Sequence, residues 1–197
     1  MPRFFLYIRP ICLLLLLAAL PGCNFFSTRD PENPITNRSS FESPTSPDIV
    51  IQNFLGAIRE KNPANYVACF VADTSINIQS YVFEPSADAA GVYPLLFNGW
   101  TVEDEQRYFI ALIPDLKDHI PTIELTGSAA AEISPQSTIY TFDYIFIPVS
   151  IPYKGRMRLT IIRLPNGNWA ISRWTDEPAK MDQTEQTWSF LKALYGN

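Results

Sequence analysis

The sequence contains few of the residues that bind metals or form disulfide bonds. It has three cysteines and one histidine in 197 residues. No Cys, His and carboxylate group stands at the spacing of metal ligands, so we predict neither a metal nor a cofactor. Two of the cysteines, Cys12 and Cys23, lie near the N-terminus, which leaves Cys69 without a partner in the rest of the chain. We therefore expect an ordinary apolar core to stabilise the fold.

The sequence also lacks a surplus of basic residues and a long apolar run. Its 15 basic residues are outnumbered by 20 acidic ones, which argues against a nucleic-acid-binding surface. The longest apolar run, residues 11–20, is too short for a membrane span, which needs about 20 apolar residues. Extending this run backwards to Phe4 would bury Arg9 in the membrane, at a cost of about 2.5–3.5 kcal/mol.

The N-terminus has the three parts of an export signal. Arg3 and Arg9 precede a short apolar core, and small residues follow it. The segment Leu20-Pro21-Gly22-Cys23 resembles the lipobox of bacterial lipoproteins. The resemblance implies that residues 1–22 are a signal peptide removed before Cys23, and that Cys23 then carries a diacylglyceryl group and an acylated amine, with fatty acids such as palmitate. The alternative is an ordinary cleaved signal followed by an incidental cysteine.

The anchor predicts a location. Two or three acyl chains make membrane attachment lasting, whereas one gives only marginal binding. Asn24 follows the cysteine, and in the sorting rule of Gram-negative lipoproteins the absence of aspartate there implies the outer membrane, facing the periplasm. Removal of residues 1–22 takes away two arginines and no acid, so 13 basic and 20 acidic residues remain. The mature chain therefore has a net charge of −7.

The remaining chain divides into a tether and one domain. Residues 23–47 are rich in Pro, Ser, Thr and Asn without periodicity, which predicts a flexible tether. Residues 48–197 are long enough for one core. In this domain, a helix capped by Asp48 should be followed by a short helix from Pro63. A third helix should begin with a capping box at Thr101 and end near Pro114.

The second half of the domain predicts an antiparallel sheet. Residues 122–176 contain four strand-like segments in a row, the last two joined by Asn166-Gly167, a strong hairpin signal. A two-residue turn there would pair Leu164 with Trp169, Ile162 with Ile171 and Thr160 with Arg173. A final helix is predicted from Asp182, ending at Gly196.

This order of elements predicts an α+β fold and resembles a known superfamily. The segments IVIQNFLGAIREKNPANYVACF and GNWAISRWTD are similar to the opening helix pair and the closing strand of nuclear-transport-factor-2-like proteins. The resemblance implies a cystatin-like cone, in which helices pack in a strongly bent antiparallel sheet, here with an extra C-terminal helix. It also implies a pocket at the wide end of the cone.

One strand has apolar side chains on both faces. In TIYTFDYIFIPV, Ile139, Ile145 and Ile147 lie on one face and tyrosines and phenylalanines on the other. A sheet with one solvated face should alternate apolar and polar residues, so something should cover the second face. We expect either a homodimer, as is common in the superfamily, or the C-terminal helix folded over that face.

Asp143 is the one charge in this strand and the main candidate for a pocket residue. It could be a general base with a raised pKa in the cone, as the resemblance to ketosteroid isomerase implies. The simpler interpretation is a cross-strand ion pair with Arg158 or Arg173. The basic residues Lys154, Arg156 and Arg158 share a strand face, which indicates either an anion-binding patch or a solvated face with acidic partners. His119 is interpreted as a solvated loop residue and Cys69 as a core residue.

These features favour a lipid-anchored envelope protein without catalytic residues. We expect its domain to bind a small apolar ligand or another envelope protein. The alternative is a pocket enzyme of the isomerase, cyclase or dehydratase kind, which would need at least two convergent polar groups deep in the cone.

Overall fold

A computed structural model describes residues 39–72, 80–180 and 186–196, without the side chains of residues 128, 129 and 131–133. The predicted signal peptide, the lipidation site Cys23 and most of the tether lie outside the described residues. The elements, in chain order, are α1 (Pro47–Glu60), α2 (Pro63–Val67), β1 (Val82–Glu84), α3 (Ala87–Val92), α4 (Val102–Leu116), β2 (Thr122–Ser134), β3 (Ser137–Ile147), β4 (Tyr153–Arg163), β5 (Trp169–Glu177) and α5 (Trp188–Tyr195).

The helices begin at residues that can accept hydrogen bonds from the first turn. Ser46, and not Asp48, caps α1, with its Oγ accepting from the Ile49 amide at 3.4 Å. The capping box of α4 is present, because the Asp104 carboxylate accepts from the Thr101 amide at 2.7 Å. Helix α4 continues through Pro114 to Leu116, past the predicted end.

The strands form one curved, open sheet in the order β1-β5-β4-β3-β2. The four long strands are an antiparallel meander as predicted, and β1 adds to β5 in parallel. The structure therefore confirms the α+β fold class. Its helices and curved sheet are consistent with the nuclear-transport-factor-2-like cone.

The β4–β5 hairpin differs from its predicted register. Gly167 is the last residue of a turn that its amide closes by donating to the Leu164 carbonyl at 2.9 Å. Its φ is 86°. The loop therefore has three residues instead of two, which slips the pairing by one, so that Arg163 faces Trp169 and Ile161 faces Ile171. A bulge between residues 171 and 173 restores the register, so the predicted pair of Thr160 with Arg173 is correct.

The C-terminal helix packs on the inner face of the sheet. It begins at Trp188, and the predicted start at Asp182 lies outside the described residues. The Trp188 ring stacks on Phe146 with centroids 4.3 Å apart and meets Trp174 edge-on at 5.0 Å. The isoleucine face of β3 lies on the opposite side and is half-buried. Helix α5 therefore does not cover the isoleucine face. The expectation that the C-terminal helix folds over that face is wrong.

The folded part starts before the predicted end of the tether. The Glu42 amide donates to Asn53 Oδ1 at 2.9 Å, and Asn53 Nδ2 donates back to the Glu42 carbonyl at 2.7 Å. The Trp169 amide donates to the Pro44 carbonyl at 2.7 Å. Residues 39–46 are thus held against α1 and β5. No helix among the described residues is long and apolar enough to cross a bilayer.

Candidate functional site

The candidate residues from the sequence lie on the outer face of the sheet. Asp143 stands directly opposite Arg156 in the β3–β4 register, and Arg156 Nε donates to Asp143 Oδ1 at 2.7 Å. Both side chains are partly exposed. Asp143 is therefore not inside the cone, and its partner is Arg156 instead of Arg158 or Arg173. Asp143 does form a cross-strand ion pair, but with a different arginine from the two that were predicted. The register of the two antiparallel strands decides which residues face each other.

The other two arginines have their own acidic partners. Arg158 Nη2 lies 3.9 Å from Glu177 Oε1. Arg173 pairs with Glu84, whose other carboxylate oxygen accepts from Thr175 Oγ1 at 2.6 Å. The hydrogen bond from Thr175 and the charge of Arg173 lower the pKa of Glu84. The outer face is therefore a ladder of cross-strand ion pairs, and His119 is an exposed loop residue as predicted.

The polar cluster of the interior centres on Glu105 in α4. Its side chain is fully buried, and its carboxylate accepts hydrogen bonds from Tyr66 (2.9 Å), Tyr81 (2.7 Å) and Trp100 Nε1 (2.9 Å). Burial beside this carboxylate raises the pKa of both tyrosines well above 10.0. The two hydroxyls therefore stay protonated and keep donating to Glu105.

The fourth donor to Glu105 is Lys192 of α5. Lys192 is fully buried and forms an ion pair with Glu105. Its Nζ also lies 3.5 Å from the Phe83 ring centroid and 3.7 Å from that of Trp174. Burial lowers the pKa of Lys192 to about 8, against the opposing effect of the Glu105 charge. The ion pair joins α4 to α5 across the core.

A second buried carboxylate holds the start of α5. Asp176 Oδ2 accepts from the Ser189 amide at 2.7 Å and from its hydroxyl at 2.5 Å, and Oδ1 accepts from the Tyr144 hydroxyl at 2.7 Å. Burial raises the pKa of Asp176, and these hydrogen bonds oppose the increase. The Tyr144 oxygen in turn accepts from the Trp188 amide at 2.6 Å. Two strand residues, Asp176 and Tyr144, thus each satisfy one free amide at the helix N-terminus.

A cavity of about 320 Å³ lies beside the Glu105 cluster. Residues 80–83 around β1, together with residues 97 and 99–102 at the start of α4, supply its lining. Two of the lining side chains, Tyr81 and Trp100, are also donors to Glu105. The cavity volume is at the lower end of the range for small-molecule sites, about 300–1,000 Å³. This is the candidate binding site.

The arrangement favours binding and rigidity over acid–base chemistry. Glu105 accepts three hydrogen bonds at Oε1 and one at Oε2, and its charge is balanced by Lys192. A general base must come within hydrogen-bond reach of a substrate proton, whereas the Glu105 side chain is fully buried behind these donors. Among the described residues, no group of His, Cys, Asp and Glu could hold a metal ion.

The sequence did not identify Glu105, Lys192 or Asp176, although two of them had a visible signal. Glu105 precedes Tyr108, Phe109 and Leu112 at helical spacing, on the apolar face of α4. Lys192 follows Trp188 by four residues, on the apolar face of α5. A charged residue on an apolar helix face indicates a buried partner. Asp176 at a strand end had no comparable signal.

The comparison with protein-family models finds no match, and neither does the comparison with curated proteins. Among solved structures, the chain is similar to a protein from Novosphingobium aromaticivorans provisionally assigned as an aromatic ring hydroxylase. The TM-score is 0.50 at 14% identity, over 68% of this chain and 86% of that one. A nuclear-transport-factor-2-like protein from Salmonella enterica has a TM-score of 0.48 at 15% identity, over 69% and 91%. A similar protein of unknown function from Shewanella oneidensis has 0.47 at 8%, over 65% and 93%. At such low identity, the first likeness is one of fold alone.

Proposed function

We propose that this chain is an envelope lipoprotein, anchored through Cys23, whose domain binds a small molecule without transforming it. The cavity beside Tyr81 and Trp100 is the proposed binding site. The anchor and the location rest on the lipobox resemblance of residues 20–23 and on Asn24. The Gram-negative outer membrane, facing the periplasm, is the proposed location.

The occupied carboxylate of Glu105 carries the non-catalytic part of the proposal. A catalytic carboxylate in the cone would need access to substrate, whereas Glu105 is fully buried and accepts from four side chains. Helix α5 fills the inner face of the sheet, where Trp188 packs against Phe146 and Trp174. The cavity beside Tyr81 and Trp100 has no Asp, Glu, His, Lys or Arg side chain in its lining.

Ligand binding is tested by thermal unfolding of the full chain in lipid nanodiscs. The compounds should be a set of small soluble molecules of neutral, anionic and cationic types. A compound that binds the folded state raises the midpoint in proportion to RT ln(1 + [L]/Kd), about 2.7 kcal/mol at a hundredfold excess over Kd. At least one such compound is expected. If none shifts the midpoint, the binding function is refuted.

The enzyme alternative has one observation in its favour, since Tyr81 connects the cavity lining to Glu105. Each compound that binds should therefore be recovered after incubation and examined by mass spectrometry. The proposal expects it unchanged. A product that forms with the wild-type protein, and not with Glu105→Gln or Tyr81→Phe, would establish an enzyme of the isomerase, cyclase or dehydratase kind.

The anchor is tested by metabolic labelling with palmitate. The Cys23→Ser variant is expected to lose the label and to move from the membrane fraction to the soluble fraction. The Cys69→Ser variant is the matched control, because Cys69 lies in the core of the domain, and it should keep both the label and the membrane fraction. Label that persists in Cys23→Ser would refute lipidation at that residue.

We retain the homodimer as a proposal for the outer sheet face. Ile139, Ile145 and Ile147 are half-buried there beside the Asp143–Arg156 pair, and a partner subunit would cover them. Analytical ultracentrifugation of the Cys23→Ser chain tests this, with Ile145→Asp expected to shift a dimer to monomer. A Cys23→Ser chain that sediments only as a monomer would refute it.

A further inference from the structure

Three aromatic side chains that line the cavity, Phe83, Phe97 and Trp100, pack against one another. Phe97 and Trp100 have ring centroids 5.4 Å apart, Phe83 and Phe97 are 5.7 Å apart, and Phe83 and Trp100 are 6.0 Å apart. Their planes are tilted by 42–53°. Three rings at such distances form a continuous apolar wall. A flat ring compound matches this wall, because aromatic groups interact in stacked or edge-to-face geometry.

Three polar side chains of the lining, Tyr81, Trp100 and Thr101, are already hydrogen-bonded inside the protein. The Tyr81 hydroxyl and Trp100 Nε1 both donate to Glu105. The Thr101 hydroxyl and amide both bond to Asp104, at 2.9 and 2.7 Å. A ligand that took the Tyr81 or Trp100 donor would have to break its buried hydrogen bond, which would leave the Glu105 carboxylate short of donors. Recognition by ring faces avoids that cost.

The charge around the cavity disfavours an ionised ligand. No side chain that the structure places in the lining carries a charge. The nearest buried charges, Glu105 and Lys192, neutralise each other. A charged ligand would lose its hydration without a counter-ion. A cation would also be repelled by the Lys192 ammonium, which already lies 3.5 Å from the Phe83 ring centroid.

We propose that the cavity binds an uncharged, planar ring compound through its faces and without a hydrogen bond. This inference rests on the proposed binding function and names its ligand class. The probes are four indoles of one ring system: indole, 1-methylindole, indole-3-acetate and tryptamine. Each is titrated by calorimetry into the full chain in lipid nanodiscs, with the signal from protein-free nanodiscs subtracted.

Indole and 1-methylindole are expected to bind with similar affinity, because the second lacks only the N–H donor. The anion and the cation should bind at least about tenfold more weakly. The Phe97→Leu variant keeps apolar volume but removes one ring face, and it should weaken indole binding about three- to tenfold. Leu95→Ala is the matched control, since Leu95 is exposed and outside the lining, and it should leave binding unchanged.

The other outcomes separate the ligand class from the binding function. Charged indoles that bind as well as indole would overturn the class, as would a large loss on N-methylation. Binding unaffected by Phe97→Leu would overturn the location. A further outcome is that no indole binds, but another compound stabilises the chain and Phe97→Leu weakens the binding of that compound. In that case only the ligand class is wrong. If no compound binds at all, the proposed function falls with it.

Discussion

Replacing Lys192 by methionine should destabilise the domain strongly. Methionine keeps most of the aliphatic stem, but the substitution takes the cation away from Glu105. Three donors, Tyr66, Tyr81 and Trp100, would remain on the carboxylate. Glu105 would then be a buried charge with hydrogen bonds and without a counter-ion.

The expected loss follows from the burial of the pair. Removing one partner of a buried ion pair costs about 3–5 kcal/mol. The three remaining donors to Glu105 place Lys192→Met near 3 kcal/mol on that scale. The domain as a whole is stable by about 5–15 kcal/mol, so this one change removes a large share. Glu105→Gln should cost a similar amount, because it leaves the Lys192 ammonium with the rings of Phe83 and Trp174.

The double variant separates the pair from its surroundings. Glu105→Gln with Lys192→Met leaves no buried charge at this point, so its loss should be smaller than the sum of the single losses by about 2–3 kcal/mol. Urea unfolding followed by tryptophan fluorescence at pH 7 measures all three. Lys180→Met, at an exposed lysine, is the control and should change stability by less than about 0.5 kcal/mol. Additive single losses, or a Lys192→Met loss as small as that of Lys180→Met, would refute the reasoning.

The same lysine makes a prediction about pH. In the folded state the pKa of Lys192 is lowered to about 8, against an ordinary value of 10.5. Between these values the unfolded chain binds more protons, so stability should rise with pH. Above pH 10.0 the buried tyrosines Tyr66 and Tyr81 oppose this rise in stability. Their pKa values are raised in the folded state, so there the tyrosines of the unfolded chain lose protons while the buried ones keep them, which favours unfolding. Wild-type stability should therefore rise from pH 8 to 10, and Lys192→Met should lack that rise. Equal profiles would contradict the assignment.

Two further predictions concern the core. Burial raises the pKa of the Cys69 thiol to about 12 and leaves the side chain nearly inaccessible. A thiol reagent at pH 8 should therefore react with Cys69 only after the chain unfolds. Fast labelling of the native chain would contradict the core position of Cys69. Gly155→Ala should destabilise the domain by about 1–3 kcal/mol or more, because a Cβ there would lie 2.5 Å from the Glu177 carbonyl and 2.8 Å from the Tyr144 hydroxyl. Gly91→Ala is the control, because there is open space around Gly91. Equal midpoints in urea unfolding for the two variants would show that the backbone around Gly155 is not tightly packed.

Local sequence patterns determined the order of most elements, but not the short β1 and α3. The spacing of Tyr108, Phe109 and Leu112 predicted the buried face of α4 because a helix repeats every 3.6 residues. The alternation in β3 separated an isoleucine face from an aromatic face, but only the structure shows that the aromatic face packs inward. The capping box at Thr101 was read correctly because it is contained within one turn. Such features depend only on residues close together in the chain.

The tertiary structure decided which partner each charged residue has. Asp143 pairs with Arg156 because the β3–β4 register places them opposite each other, and a shift of two residues would have selected Arg158. The hairpin at Gly167 slipped by one residue because its loop has three residues, and a bulge then restored the pairing of Thr160 with Arg173. Neither the loop length nor the bulge is contained in the strand pattern.

The binding site shows the same division between local pattern and tertiary contact. The helical spacing around Glu105 and Lys192 is a signal that both lie on apolar helix faces, where a single charge is costly to bury, although neither was predicted as a site residue. Only the packing of α5 against α4 joined them, across 87 residues of chain, and aimed Tyr81 and Trp100 at the same carboxylate. Periodicity reports which side of its own element a residue occupies. The neighbour on that side is set by how distant elements pack, because the free energy of a buried charge depends on atoms that the chain brings together only when it folds.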